Sequence, residues 1–113
     1  MISDHEARAW QHSRILEFHK FFSEFQLWLE AGAERFRMKL RIYETNDGRF
    51  YFVQSHYVRT PVFDGSFNAT HLTHSTPHLA LTTAIDSITT YYEDAVNEGH
   101  EPSAEWFVPN ELF

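Results

Sequence analysis

The chain has 113 residues, 42% hydrophobic and 17% aromatic, with no cysteine and a formal net charge of −7. That length suits one domain spanning 1–113, and eleven Phe, five Tyr and three Trp carry too much ring area for a disordered chain. Without cysteine, disulfide scaffolds, thiol catalysis and Cys-based zinc sites are excluded, while the negative charge argues against general affinity for nucleic acid or anionic lipid.

Ser3-Asp4-His5-Glu6 has the form of a capping box, a hydroxyl followed three residues on by a carboxylate. It predicts a long N-terminal helix running to about Ala31 and stopped by Gly32. Ile15, Phe18, Phe22, Phe25 and Leu29 recur at spacings of three and four, an apolar seam widened by Phe21 and Trp28. So wide a face must be covered, by a sheet or by a second copy of the helix. His5, His12 and His19, seven apart, would fall along one line of that helix and sense pH if the line met a partner.

Phe36, Met38, Leu40 and Ile42 alternate with Arg35, Arg37, Lys39, Arg41 and Tyr43, the period of a strand. Asn46-Asp47-Gly48 marks a turn, and a second strand runs from Arg49 to about Val58. A three-residue loop with a left-handed Gly48 sets Ile42 opposite Phe52 and Tyr43 opposite Tyr51. That register sorts the side chains best. One face then carries Phe36, Met38, Leu40, Ile42, Phe50, Phe52 and Val58. The other carries Arg37, Lys39, Arg41, Tyr43, Arg49, Tyr51, Tyr57 and Arg59. Residues 66–74 could supply a third, short strand.

Ser75-Thr76-Pro77 opens a C-terminal helix, with a hydroxyl cap and proline in the first turn. Leu81, Ala84, Ile85, Ile88, Tyr91, Tyr92, Ala95 and Val96 form its apolar stripe, and Gly99 closes it. The irregular tail contains Trp106, Phe107, Leu112 and Phe113, too apolar to hang free. The predicted fold is α+β: a long N-terminal helix, an antiparallel β-hairpin or three-stranded sheet, a C-terminal helix and an irregular tail, with the helices on one sheet face. This order resembles that of double-stranded-RNA-binding domains. Their second helix opens on a lysine cluster, however, and the helix here contains no Lys or Arg. Order alone does not assign a function.

Residues 1–59 hold nine basic and eight acidic side chains, a net of +1; residues 60–113 hold eight acidic ones and no Lys or Arg, a net of −8. The predicted basic–tyrosine face is the most specific surface signal, because it combines cations with flat rings that anchor protein contacts or stack on bases. Among the eight histidines, His71, His74 and His78, with His56 from the strand, are candidate metal ligands. No nucleophile elbow, glycine-rich phosphate loop or calcium loop occurs. No apolar run approaches the ~18 residues of a membrane span, and the opening residues lack a basic-then-apolar pattern, so a cytoplasmic location is expected. The expected function is a non-enzymatic binding or regulatory module, without cofactor, acting through protein contacts as a homodimer. Its contact residues would be Arg37, Lys39, Arg41, Tyr43, Arg49, Tyr51, Tyr57 and Arg59 on the sheet, and Phe22 and Trp28 on the first helix. The alternatives are a nucleic-acid-binding module using the basic–tyrosine face, or a histidine-ligated metal protein.

Overall fold

A computed structural model describes residues 2–11, 14–62 and 72–113. The elements are α1 (Asp4–Ala9), β1 (His19–Ala31), β2 (Glu34–Thr45), β3 (Phe50–Gln54), β4 (His56–Val58), α2 (Pro77–Asn97), a 3-10 turn (Ala104–Trp106) and β5 (Phe107–Pro109). β1, β2 and β3 form an antiparallel sheet in that order, and β4 and β5 form a separate antiparallel pair.

The expected long N-terminal helix does not exist, and the predicted fold class is corrected accordingly. The molecule is mostly sheet with one helix of 21 residues. The capping box does form: Ser3 Oγ accepts from Glu6 N (3.1 Å) and Glu6 Oε1 accepts from Ser3 N (3.4 Å). It starts only the six residues of α1. Residues 19–31 instead pair with β2 from His19↔Thr45 to Ala31↔Glu34. Gly32 does not end a helix. It sits at φ +74 as the first residue of a two-residue hairpin loop, and Ala33 has a negative φ, the sign pattern of a type II′ turn. The pairing wins because β2 offers a full-length partner, whereas a 29-residue helix would have left its wide apolar face uncovered. The line of His5, His12 and His19 disappears with the helix: His5 is on α1, His19 is on β1, and His12 lies outside the described residues.

The second hairpin follows its predicted register, with Ile42↔Phe52 and Tyr43↔Tyr51. Gly48 is left-handed (φ +78), and Thr45 N donates to the Arg49 carbonyl across a three-residue loop (2.8 Å). Met38, Leu40, Ile42, Phe50 and Phe52 are buried on the inner face. Val58 is buried too, but on β4, after the chain turns at Ser55. Ser55 joins the two sheets: its N donates to Lys39 O (2.9 Å), its Oγ accepts from Lys39 N (2.9 Å), and its carbonyl accepts from Asn110 N (2.8 Å). Among the described residues, the third strand of the main sheet is β1. Of the span 66–74, residues 66–71 lie outside the described residues, and His74 makes a single bridge to Phe50.

α2 begins as its sequence predicts, with Thr76 Oγ1 accepting from Leu79 N (3.1 Å) and Pro77 next. Gly99 (φ +93) ends it, and the Gly99 and His100 N–H groups donate to Val96 and Ala95 carbonyls, a Schellman closure. Its buried face is narrower than the predicted stripe: Ala80, Ala84, Ser87, Ile88 and Ala95. Ile85 and Val96 are exposed. Small side chains seat the helix close to the sheet, so the large ones flank the contact. α2 packs against β3, β4 and β2.

The sheet is long for its width. At about 3.3 Å per residue, 13-residue β1 spans about 43 Å, most of the molecule's 54 Å long axis. β3 pairs only with Leu40–Glu44, so the distal end of the first hairpin needs other cover. The tail supplies it, as its apolar composition predicted. Phe107 stacks on Phe36 (4.4 Å, 7°), Trp106 meets Tyr92 edge-on (5.6 Å), and Tyr92 OH donates to Glu30 O (2.9 Å). No helix among the described residues is long and apolar enough to cross a membrane.

Candidate protein-contact surface

Strand alternation gives β2 an outward row of Arg35, Arg37, Lys39, Arg41 and Tyr43. Pairing sets Glu30, Trp28, Gln26, Glu24 and Phe21 beside it on β1, and Val53 and Tyr51 on β3. Among the described residues, no helix covers this face. At its proximal end the rings form a cluster: Tyr43 stacks on Tyr51 (5.4 Å), Phe21 meets Tyr43 edge-on (6.0 Å), and His19 Nδ1 lies 2.8 Å from Tyr51 OH. Burial pushes the Tyr51 phenol above its ordinary pKa, and the neighbouring Tyr43 and Glu17 add to the effect.

The cations differ in what they hold. Arg41 Nε donates to Glu24 Oε1 (2.8 Å), and its guanidinium lies 3.9 Å from the centre of the Phe113 ring. The hydrogen bond from Arg41 holds the Glu24 carboxyl below the usual range, and the Arg41 and Lys39 charges assist. Arg35 lies over Trp28 at 5.6 Å, a cation–π contact. Among the described residues, neither Arg37 nor Lys39 has a carboxylate within 4 Å. These two charges, with Trp28 (52% exposed) and Phe21 (51%), form a mixed cationic and aromatic surface.

Of the predicted contact residues, Arg37, Lys39, Arg41, Tyr43, Tyr51 and Trp28 therefore share one face. The others do not. Arg49 precedes β3 and is tied to Thr73, its Nε donating to Oγ1 (2.7 Å) and Nη2 to the carbonyl (3.1 Å). Tyr57 belongs to β4, opposite Val108, and Arg59 follows that strand with its N–H donating to Trp106 O (2.7 Å). The chain leaves the main sheet at Ser55, so continuing the alternation to 59 carried Tyr57 and Arg59 off the face. Phe22 is the extra residue of a bulge between Phe21 and Ser23, and its ring meets Phe50 edge-on (5.5 Å) from the core side. Neither Phe22 nor Trp28 stands on a helix. The sequence reading did not foresee Glu24 or the free edge of β1 at this surface, nor that Phe113 of the tail would lie on Arg41.

The histidine candidates are scattered. His56 begins β4, with Nδ1 2.9 Å from Ser55 Oγ and its ring edge-on to Phe36 (4.8 Å); burial lowers its pKa. His74 bridges Phe50, His78 is exposed in the first turn of α2, and His71 lies outside the described residues. Among the described residues no three His, Asp or Glu side chains converge as a metal site. A surface hollow is lined by Trp10, Gln11, Ile15, Leu16, Glu17, Phe18 and Asn46, and the Glu17 carboxylate at its rim lies 3.6 Å from His19 Nε2. No family model matches the chain, and no curated protein or solved structure matches it either.

Proposed function

We propose that this chain is a non-enzymatic binding or regulatory module that acts through protein–protein contacts and assembles as a homodimer. The observation that carries the reading is the outward sheet face, where Trp28 stands exposed beside Arg37 and Lys39, and Phe21 stands exposed farther along, beside Tyr43. Aromatic and arginine side chains are the preferred anchors of protein interfaces, and their shared strand scaffold holds them rigidly. A cysteine-free chain accords with a cytoplasmic location. Light scattering tests the assembly: the reading predicts about twice the 13.4 kDa chain mass at high micromolar concentration. A mass of one chain there overturns it.

The same cations favour a second reading, a single nucleic-acid strand laid across the sheet. It predicts salt-dependent oligonucleotide binding that Arg37→Glu and Arg41→Glu abolish. Two observations weigh toward protein. The rings of Tyr43, Tyr51 and Phe21 pack on one another, and Arg41 is already engaged by Glu24.

A further inference from the structure

We infer that the second copy docks on the free edge of β1, joining two sheets into one of six strands; this rests on the homodimer reading above. β1 is an edge strand, with β2 on one side and no strand on the other among the described residues. Its hydrogen-bonding sense can be derived. The two-residue loop closes on Ala31 and Glu34, and bonding then alternates along the ladder. Lys39 confirms the phase, because both of its backbone groups bond Ser55, on the side away from β1. The backbone groups of Phe25, Leu27 and Leu29 thus face β2, while those of Glu24, Gln26 and Trp28 face the free edge, which ends at Glu30, where Tyr92 OH caps the carbonyl. A long, apolar edge of this kind is a template for another strand.

The inner face of the same strand is half-finished. α2 packs over β2 and β3, which leaves Phe25 40% exposed although it points to the core side, opposite Leu40. A neighbouring strand would cover it. The occupant is a second β1, because the strand complements itself in one antiparallel register. A two-fold axis at Leu27 would set Glu24 against the other copy's Glu30, a like-charge pair. Moving the axis to Gln26 removes that clash. It sets Phe25 against the second copy's Leu27 and Glu24 against its Trp28, beside the Arg35 guanidinium that lies over that ring. An axis at Trp28 would instead leave Phe25 against Ala31, which covers it poorly. The Gln26 register also keeps the outward cationic faces of both copies on one side of the joined sheet.

Gln26→Cys and Gln26→Pro test the inference in the full chain. The chain contains no native cysteine, so a disulfide in Gln26→Cys reports one contact. Directly hydrogen-bonded partners lie about 5.5 Å apart at Cα, within disulfide reach. Mild oxidation should convert most of the Gln26→Cys protein to a covalent dimer, at least tenfold faster than a Glu98→Cys control. Gln26→Pro removes an N–H that the β1–β2 ladder does not use. It should retain the far-ultraviolet circular dichroism spectrum and run as a single chain in light scattering. If wild type is dimeric but Gln26→Cys cross-links no faster than the control, the edge contact is wrong and the homodimer stands. If wild type is monomeric at high micromolar concentration, both fail.

Discussion

Truncating Phe107 to alanine should remove the clamp that holds the distal end of the first hairpin. Phe107 is 5% exposed, stacks on Phe36 at 4.4 Å and pairs through its backbone with Val58. Replacing a buried phenylalanine with alanine costs about 3–5 kcal/mol, from lost transfer free energy and the cavity left behind. At about 4 °C per kcal/mol for a chain this size, the melting midpoint should fall by about 12–20 °C. Urea titration by circular dichroism should show a lower midpoint at an unchanged slope. A double-mutant cycle with Phe36→Ala should return a coupling of about 0.5–1.5 kcal/mol for the stacked pair. A loss below about 1 kcal/mol with no coupling would show that the tail lies on the surface and that the hairpin stands without it.

Three smaller perturbations probe other joints. Thr76→Ala deletes the α2 N-cap, whose Oγ1 accepts from Leu79 N, and should cost about 1 kcal/mol in urea titration, with Thr76→Ser restoring most of it. Gly48→Ala meets no neighbour within 4 Å but must adopt φ +78, so its loss of about 1–2 kcal/mol should be purely conformational, and Gly48→Asn should recover part of it. Burial depresses the His56 pKa, so the unfolded chain binds the proton more readily than the folded one. Stability from this group is full above about pH 6.5 and declines as the pH falls through the folded value. Urea midpoints at pH 7.5, 6.5 and 5.5 should decline more steeply for wild type than for His56→Phe.

Residues 36–54 were legible because nine residues of unbroken alternation meet an Asn-Asp-Gly turn. In α2, Thr76, Pro77 and Gly99 mark the ends by local chemistry that packing does not override. β1 misled for a specific reason. The bulge at Phe22 breaks its alternation, so Phe21 points outward and Ser23 inward, and what remains is Phe18, Phe22, Phe25 and Leu29 at helical spacing. Its inner side is only partly covered, with Leu27 and Leu29 against the core and Phe25 exposed, which left aromatics exposed on both faces and blurred the inside–outside contrast a strand normally shows. The α2 stripe was misjudged because Ala80 and Ser87 decide how closely helix and sheet approach, a property hydrophobicity does not rank. The contact face was half legible: its β2 row follows from period two, but Tyr57 and Arg59 depended on a strand continuing past Ser55.

Amide hydrogen exchange along residues 19–31 tests the edge strand most directly. The structure predicts an alternating pattern at low micromolar concentration: the amides of Phe25, Leu27 and Leu29 protected by β2, and those of Glu24, Gln26 and Trp28 exchanging freely. Raising the concentration should slow the second set and leave the first unchanged. Uniform protection of consecutive amides from 22 to 31 at every concentration would be the signature of a helix and would contradict the fold and the dimer contact together.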